Sequence, residues 1–223
     1  MRKTLVSIAA LALGLGMVAI GDAKSAVYIG LAQGGAPVQV ASSASGSIGY
    51  DASFGTFENV DVRLKGPPLL AAPTLLNSTA ISINNLGVGG VLDIYVTVTD
   101  IAPGGEIDFA SAFSVSNLSP GWTETLRSFY DQGNGIFATT SALGTASFTA
   151  TGGENDLNPG INVSGPFSVT GIFTINAPNI GDSNSGMIIS GTTTAVPEPG
   201  SLALLGSALA ALGLLRRRRS DEA

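Results

Sequence analysis

The sequence contains no cysteine and no histidine. Without cysteine there is no disulfide and no thiol nucleophile. Without histidine there is no Ser-His-Asp triad, no imidazole base and no His-ligated zinc. Aromatic residues make up 6% of the chain, with a single tryptophan, so few rings are available to stack on a ligand. Cations are scarcer still. Between Val27 and Ala195 only Arg63, Lys65 and Arg127 face twelve carboxylates, a net of −9. A surface of that sign repels phosphate backbones, which excludes nucleic acid as a partner. It keeps a chain rich in Gly, Ser and Thr soluble. Nucleophile-elbow and phosphate-loop motifs are also missing.

The two ends read as processing segments. Met1-Arg2-Lys3 is a positive start, and Leu5 to Ile20 is an apolar run. Gly21-Asp22-Ala23 and Ala23-Lys24-Ser25 place small residues where a signal peptidase reads. Residues 1–25 are therefore expected to be a signal peptide. Residues 26–195 form the body, long enough for one domain with its own core.

The body reads as strands and turns. Leu92, Ile94, Val96 and Val98 alternate with Asp93, Tyr95, Thr97 and Thr99, the pattern of a strand with one buried and one wet face. Ile107, Phe109, Phe113 and Val115 repeat it, as do Val60, Val62 and Leu64, and Phe167, Val169, Phe173 and Ile175. The turn signal Ala102-Pro103-Gly104-Gly105 makes the first two segments a candidate hairpin. Residues 119–131 fit helix and strand spacing alike; Thr123 and Thr125 favour strand. The stretches 41–49, 152–156 and 181–184 read as loops. Residues 69–76 read as a loop or short helical turn. The expected fold is all-β: a single antiparallel β-sandwich or jelly-roll-like domain.

After the body come Val196, Pro197, Glu198 and Pro199, then sixteen apolar or small residues from Gly200 to Leu215, then Arg216, Arg217, Arg218 and Arg219. As a helix, residues 200–215 would span about 24 Å, against roughly 30 Å for a bilayer core. Snorkelling arginines and local thinning close that gap and put the arginines on the cytoplasmic side. Residues 196–223 thus resemble the PEP-CTERM family of sorting signals. The resemblance implies recognition by exosortase, a membrane-embedded enzyme that cuts near the Pro-Glu-Pro element. It implies a precursor anchored in the inner membrane of a Gram-negative bacterium, with its body in the periplasm. The final place would be the cell surface or the extracellular matrix. Partners would be exosortase, signal peptidase, the secretion machinery, the inner membrane transiently, and exopolysaccharide.

Candidate chemistry in the body is thin. Glu106 with Asp108, or Glu154 with Asp156, are the only pairs suited to a polysaccharide hydrolase or lyase. Both adjoin Gly-rich turns, where acids serve turn hydrogen bonding alone. No cofactor is expected; Glu154, Asp156 and Asp182 are the candidate calcium ligands. Trp122 and Tyr130 are the candidate sugar contacts, set against the commoner use of such rings in a core. The sequence therefore favours a non-enzymatic protein, structural or adhesive in an exopolysaccharide biofilm matrix. A carbohydrate-binding module is the alternative.

Overall fold

The computed structural model describes residues 25–87, 89–102 and 105–193, together with Ser207. The expected signal peptide before Ser25, the Pro-Glu-Pro element, the apolar run and the arginine cluster lie outside the described residues. Among the described residues no helix is long and apolar enough to cross a membrane.

The body is all-β, as its alternation predicts. Among the described residues twelve strands follow in order: β1 (Ala26–Ala32), β2 (Val38–Ser43), β3 (Ser47–Phe54), β4 (Phe57–Lys65), β5 (Thr74–Asn85), β6 (Gly90–Ile101), β7 (Gly105–Leu118), β8 (Thr123–Asp131), β9 (Ser141–Phe148), β10 (Gly152–Val163), β11 (Phe167–Ala177) and β12 (Gly181–Thr193). They form two six-stranded antiparallel sheets. Sheet A runs β2-β1-β6-β11-β8-β9, and sheet B runs β10-β7-β12-β5-β4-β3. Within β5 to β12 the pairs are nested: β8 with β9, β7 with β10, β6 with β11, and β5 with β12. That is one long hairpin wound over two sheets, the jelly-roll winding. β1 to β4 widen both sheets at one side.

One face of each strand fills the space between the sheets. Leu92, Ile94, Val96 and Val98 of β6 meet Val60, Val62 and Leu64 of β4, Ile81 and Ile83 of β5, and the β11 residues Phe167, Val169, Phe173 and Ile175 in one buried cluster. All thirteen are fully buried. Burial at roughly 25 cal/mol per Å² of apolar surface makes this cluster the main source of stability.

Four expectations change. β6 and β7 are not a hairpin. They lie in different sheets, so the segment between them is a crossover. Both alternate because both bury one face in the same core from opposite sides. The Gly-rich stretch 152–156 is the start of edge strand β10, and 181–184 is the start of β12. The stretch 41–49 holds the end of β2 and the start of β3, with only a short turn between them.

Candidate functional site

The outer face of sheet B carries a groove of about 610 Å³. Its shape follows from side-chain size. One row across four strands reads Asn155, Ala112, Ile188 and Asn77, and the adjacent row reads Gly153, Ser114 and Gly186. Ala112, Ser114 and Gly186 on the central strands make the low floor, Ile188 rises within it, and amides on β5 and β10 make the walls. Ser114 Oγ donates to the Gly186 carbonyl at 3.3 Å, and Ser116 Oγ to the Asn184 carbonyl at 3.2 Å. Asn77 Oδ1 is buried in the groove wall with no hydrogen-bond partner among the described residues. An unmet buried acceptor is costly, and a donor group in the groove would satisfy it. Amides and hydroxyls in a shallow cleft suit an uncharged, hydroxyl-rich ligand.

The outer face of sheet A is partly covered instead. Residues 132–140, between β8 and β9, fold across it. The Asp131 carboxylate holds this loop, accepting from Gly135 N at 2.7 Å and Thr140 Oγ1 at 2.7 Å. Those donors, Thr140 first, hold the carboxyl below its usual range. Asn134 Nδ2 donates to Asp100 Oδ1 at 2.7 Å, and Asn134 Oδ1 accepts from Asp100 N at 2.8 Å. Phe137 lies over Gly30, where a Cβ would sit 2.6 Å from the ring, and meets Tyr95 edge-on at 5.8 Å. Phe137 N donates to Thr97 Oγ1 at 3.2 Å. Thr97 is therefore fully buried, although alternation places it on the wet side.

Between the sheets sits one fully buried carboxyl, Glu124 of β8. Ser183 Oγ donates to it at 2.6 Å and Ser185 Oγ at 2.5 Å, both from β12. Burial pushes its pKa up, against the pull of the two hydroxyls. It has no surface through which to meet a substrate, so it links the sheets. Nearby, Ser111 and Ser128 share a hydrogen bond of 2.7 Å across the same interior. Sequence reading missed Glu124, yet the signal was there: it has the parity of Trp122, Leu126 and Tyr130.

The residues singled out by sequence are scattered. Trp122 is 1% exposed, and its indole N–H donates to Asn179 Oδ1 at 2.7 Å. It has no free ring face for a sugar, because it plugs the sandwich end between the β7–β8 and β11–β12 turns. Tyr130 is partly buried and stacks on Phe109 at 5.5 Å. Asp182 ties down the β7–β8 turn, accepting from Asn117 Nδ2 at 2.6 Å and Ser119 Oγ at 3.0 Å. Glu154 and Asp156 lie on β10 opposite Phe113 and Ser111; Glu154 is part of the groove lining, and Asp156 accepts from Thr145 N at 3.0 Å and so ties β10 to β9. The structure does not bring Asp182 to them. No group of three or more potential metal ligands forms among the described residues. Asp108 of β7 accepts from Gly160 N at 2.7 Å, at the bulge in β10.

No curated protein matches the chain by sequence. Among solved structures it is similar to TmCBM61 in complex with β-1,4-galactotriose, at 14% identity and a TM-score of 0.31, over 60% of this chain and 82% of that one. It is also similar to a structure of infectious bursal disease virus Gx strain, at 10% identity and a TM-score of 0.28, over 81% of this chain and 54% of that one. The family comparison concerns the tail: residues 195–219 match the PEP-CTERM protein-sorting motif. The chain thus carries a PEP-CTERM sorting signal, which implies an exported protein sorted by exosortase from a membrane-anchored precursor.

Proposed function

We propose that the sandwich is a non-enzymatic structural component of the cell surface or exopolysaccharide matrix, delivered there by its tail. The observation that carries this reading is the direct junction of two parts. A β-sandwich without histidine or cysteine ends at Thr193, two residues before the sorting motif begins. Exosortase acts near Val196, Pro197, Glu198 and Pro199. Arg216 to Arg219 hold the precursor's inner end on the cytoplasmic side. Of the carboxylates that would serve a hydrolase or lyase, Asp108 binds the Gly160 amide and Asp156 ties β10 to β9. Deleting the exosortase gene should leave a longer, membrane-retained form; a mature mass unchanged by the deletion overturns the reading.

The groove on sheet B favours a second reading, a module that binds the matrix polysaccharide. The site is then the amide-walled cleft at Asn77, Asn155 and Asn184, not Trp122 or Tyr130. Ala112→Phe fills the floor of the cleft. In affinity electrophoresis through matrix polysaccharide, retardation of the natural chain should disappear in this variant. Equal migration of the two proteins, retarded or not, removes this reading.

A further inference from the structure

Seven consecutive residues of the β4–β5 loop, PPLLAAP at 67–73, carry no charge and no side-chain hydrogen-bonding group. Leu69 is 59% exposed, and Ala71, Ala72 and Pro73 are exposed with it. The loop is nonetheless fixed. Leu69 N and Leu70 N donate to the Gly66 carbonyl, Gly66 N donates to the Gly46 carbonyl, and Thr74 N donates to the Ala71 carbonyl. Beneath it, Leu70, Leu75, Ile101, Ala102 and Ser25 line a cavity of about 250 Å³.

Two further facts locate this loop. Ser25, where the chain enters the body, borders that cavity. The Pro73 carbonyl accepts from Gly191 N at 2.8 Å, two residues before β12 ends. The apolar loop, the entry of the chain and the exit to the tail therefore share one end of the sandwich.

We propose that this end is a membrane-facing surface, with residues 67–73 seated in the interfacial region of the bilayer while the tail anchors the precursor. The proposal rests on the membrane-anchored precursor implied by the sorting motif. Chain length supports it. From Thr193 to Gly200, where the apolar run begins, a fully extended chain reaches at most about 25 Å. A strand as long as β12 makes the body about 40 Å tall. So short a tether cannot pass along the body to present its other end. At the far end Val38, Leu86, Val91 and Ile180 are also exposed, but they come from four separate stretches of chain, whereas residues 67–73 are one uninterrupted apolar stretch. Isolated exposed apolar residues are ordinary; a continuous patch marks an interaction surface.

The absence of cysteine makes the test clean. The uncleaved full-length chain is placed in vesicles of phosphatidylethanolamine and phosphatidylglycerol. Leu69→Cys, Ala71→Cys and Ile180→Cys variants each carry one fluorophore. The chain should float with the vesicles. Lipids brominated on the acyl chain should quench the probes at 69 and 71 and spare the one at 180. Flotation with no quenching at 69 and 71, or with equal quenching at all three, overturns the membrane face and leaves the anchored precursor standing. A chain that does not float overturns both.

Discussion

The two outer faces of this sandwich are built by opposite means. Sheet A is roofed: a nine-residue loop pinned at Asp131 lays Phe137 over Gly30, Tyr95 and Thr97. Sheet B is bare, and its central strands show Ala112, Ser114 and Gly186 to solvent. The contrast teaches how one regular scaffold yields a partly covered face and an open one. Strand alternation fixes only which residues leave the core. Loop length and side-chain size decide what happens to them outside. A roof adds stability, and a groove leaves space for something else.

The largest expected effect comes from lifting the roof. Asp131→Ala removes an acceptor of at least two charge-assisted hydrogen bonds and should cost about 3 kcal/mol in urea unfolding at neutral pH. Its pH behaviour sharpens the point. The Asp131 carboxyl is held below its ordinary value, so its stabilisation is present above about pH 3.9 and fades as pH falls further. The variant should lose that part of the acid dependence; an identical acid limb in both proteins rules out this role. Between the two faces, Glu124→Gln should have a smaller effect of the other sign. The Glu124 carboxyl is held above its ordinary value, so folding favours its protonated form. Stability then declines as pH rises above about 4.3, until the folded-state value is passed. Unfolding curves of the Gln variant should be flatter across that window, and a natural chain already flat there refutes the assignment. On the bare face, Ala112→Phe should change stability least, within about 0.5 kcal/mol, while abolishing any retardation by polysaccharide. A large loss of stability would mean that the groove is part of the packing.

The strands were largely legible because their signal is local. Leu92 to Val98, Val60 to Leu64 and Phe167 to Ile175 show period two, and the structure buries the faces that period assigns. Partners were not legible. β6 and β7 adjoin in sequence and read as a hairpin, yet alternation is the same whether a neighbour joins the same sheet or the opposite one. The stretches 152–156 and 181–184 looked like turns for a physical reason. An edge strand tolerates Gly and Asn, and the inner positions of β12 carry Ser183 and Ser185 because they serve Glu124. The candidate site was the least legible part. A groove defined by small residues leaves no motif; it exists because Gly153, Ala112, Ser114 and Gly186 are small where their neighbours Asn155, Asn184 and Ile188 are not. The most conspicuous ring, Trp122, drew attention and proved to be packing. The tail was the reverse case: its residues 195–219 form a linear signal, readable without any fold.

The position of β12 has a consequence for how the protein comes into being. It is the last strand among the described residues, yet it lies between β7 and β5, pairing Ser190 with Thr74 and Ser185 with Val115. Until it arrives, sheet B is two separate pieces with open edges. Non-local pairing of this kind forms slowly. The residues that complete the sheet are also those that lead directly into the tail. The body therefore stays unfinished until the chain is available as far as Thr193, two residues short of its sorting signal.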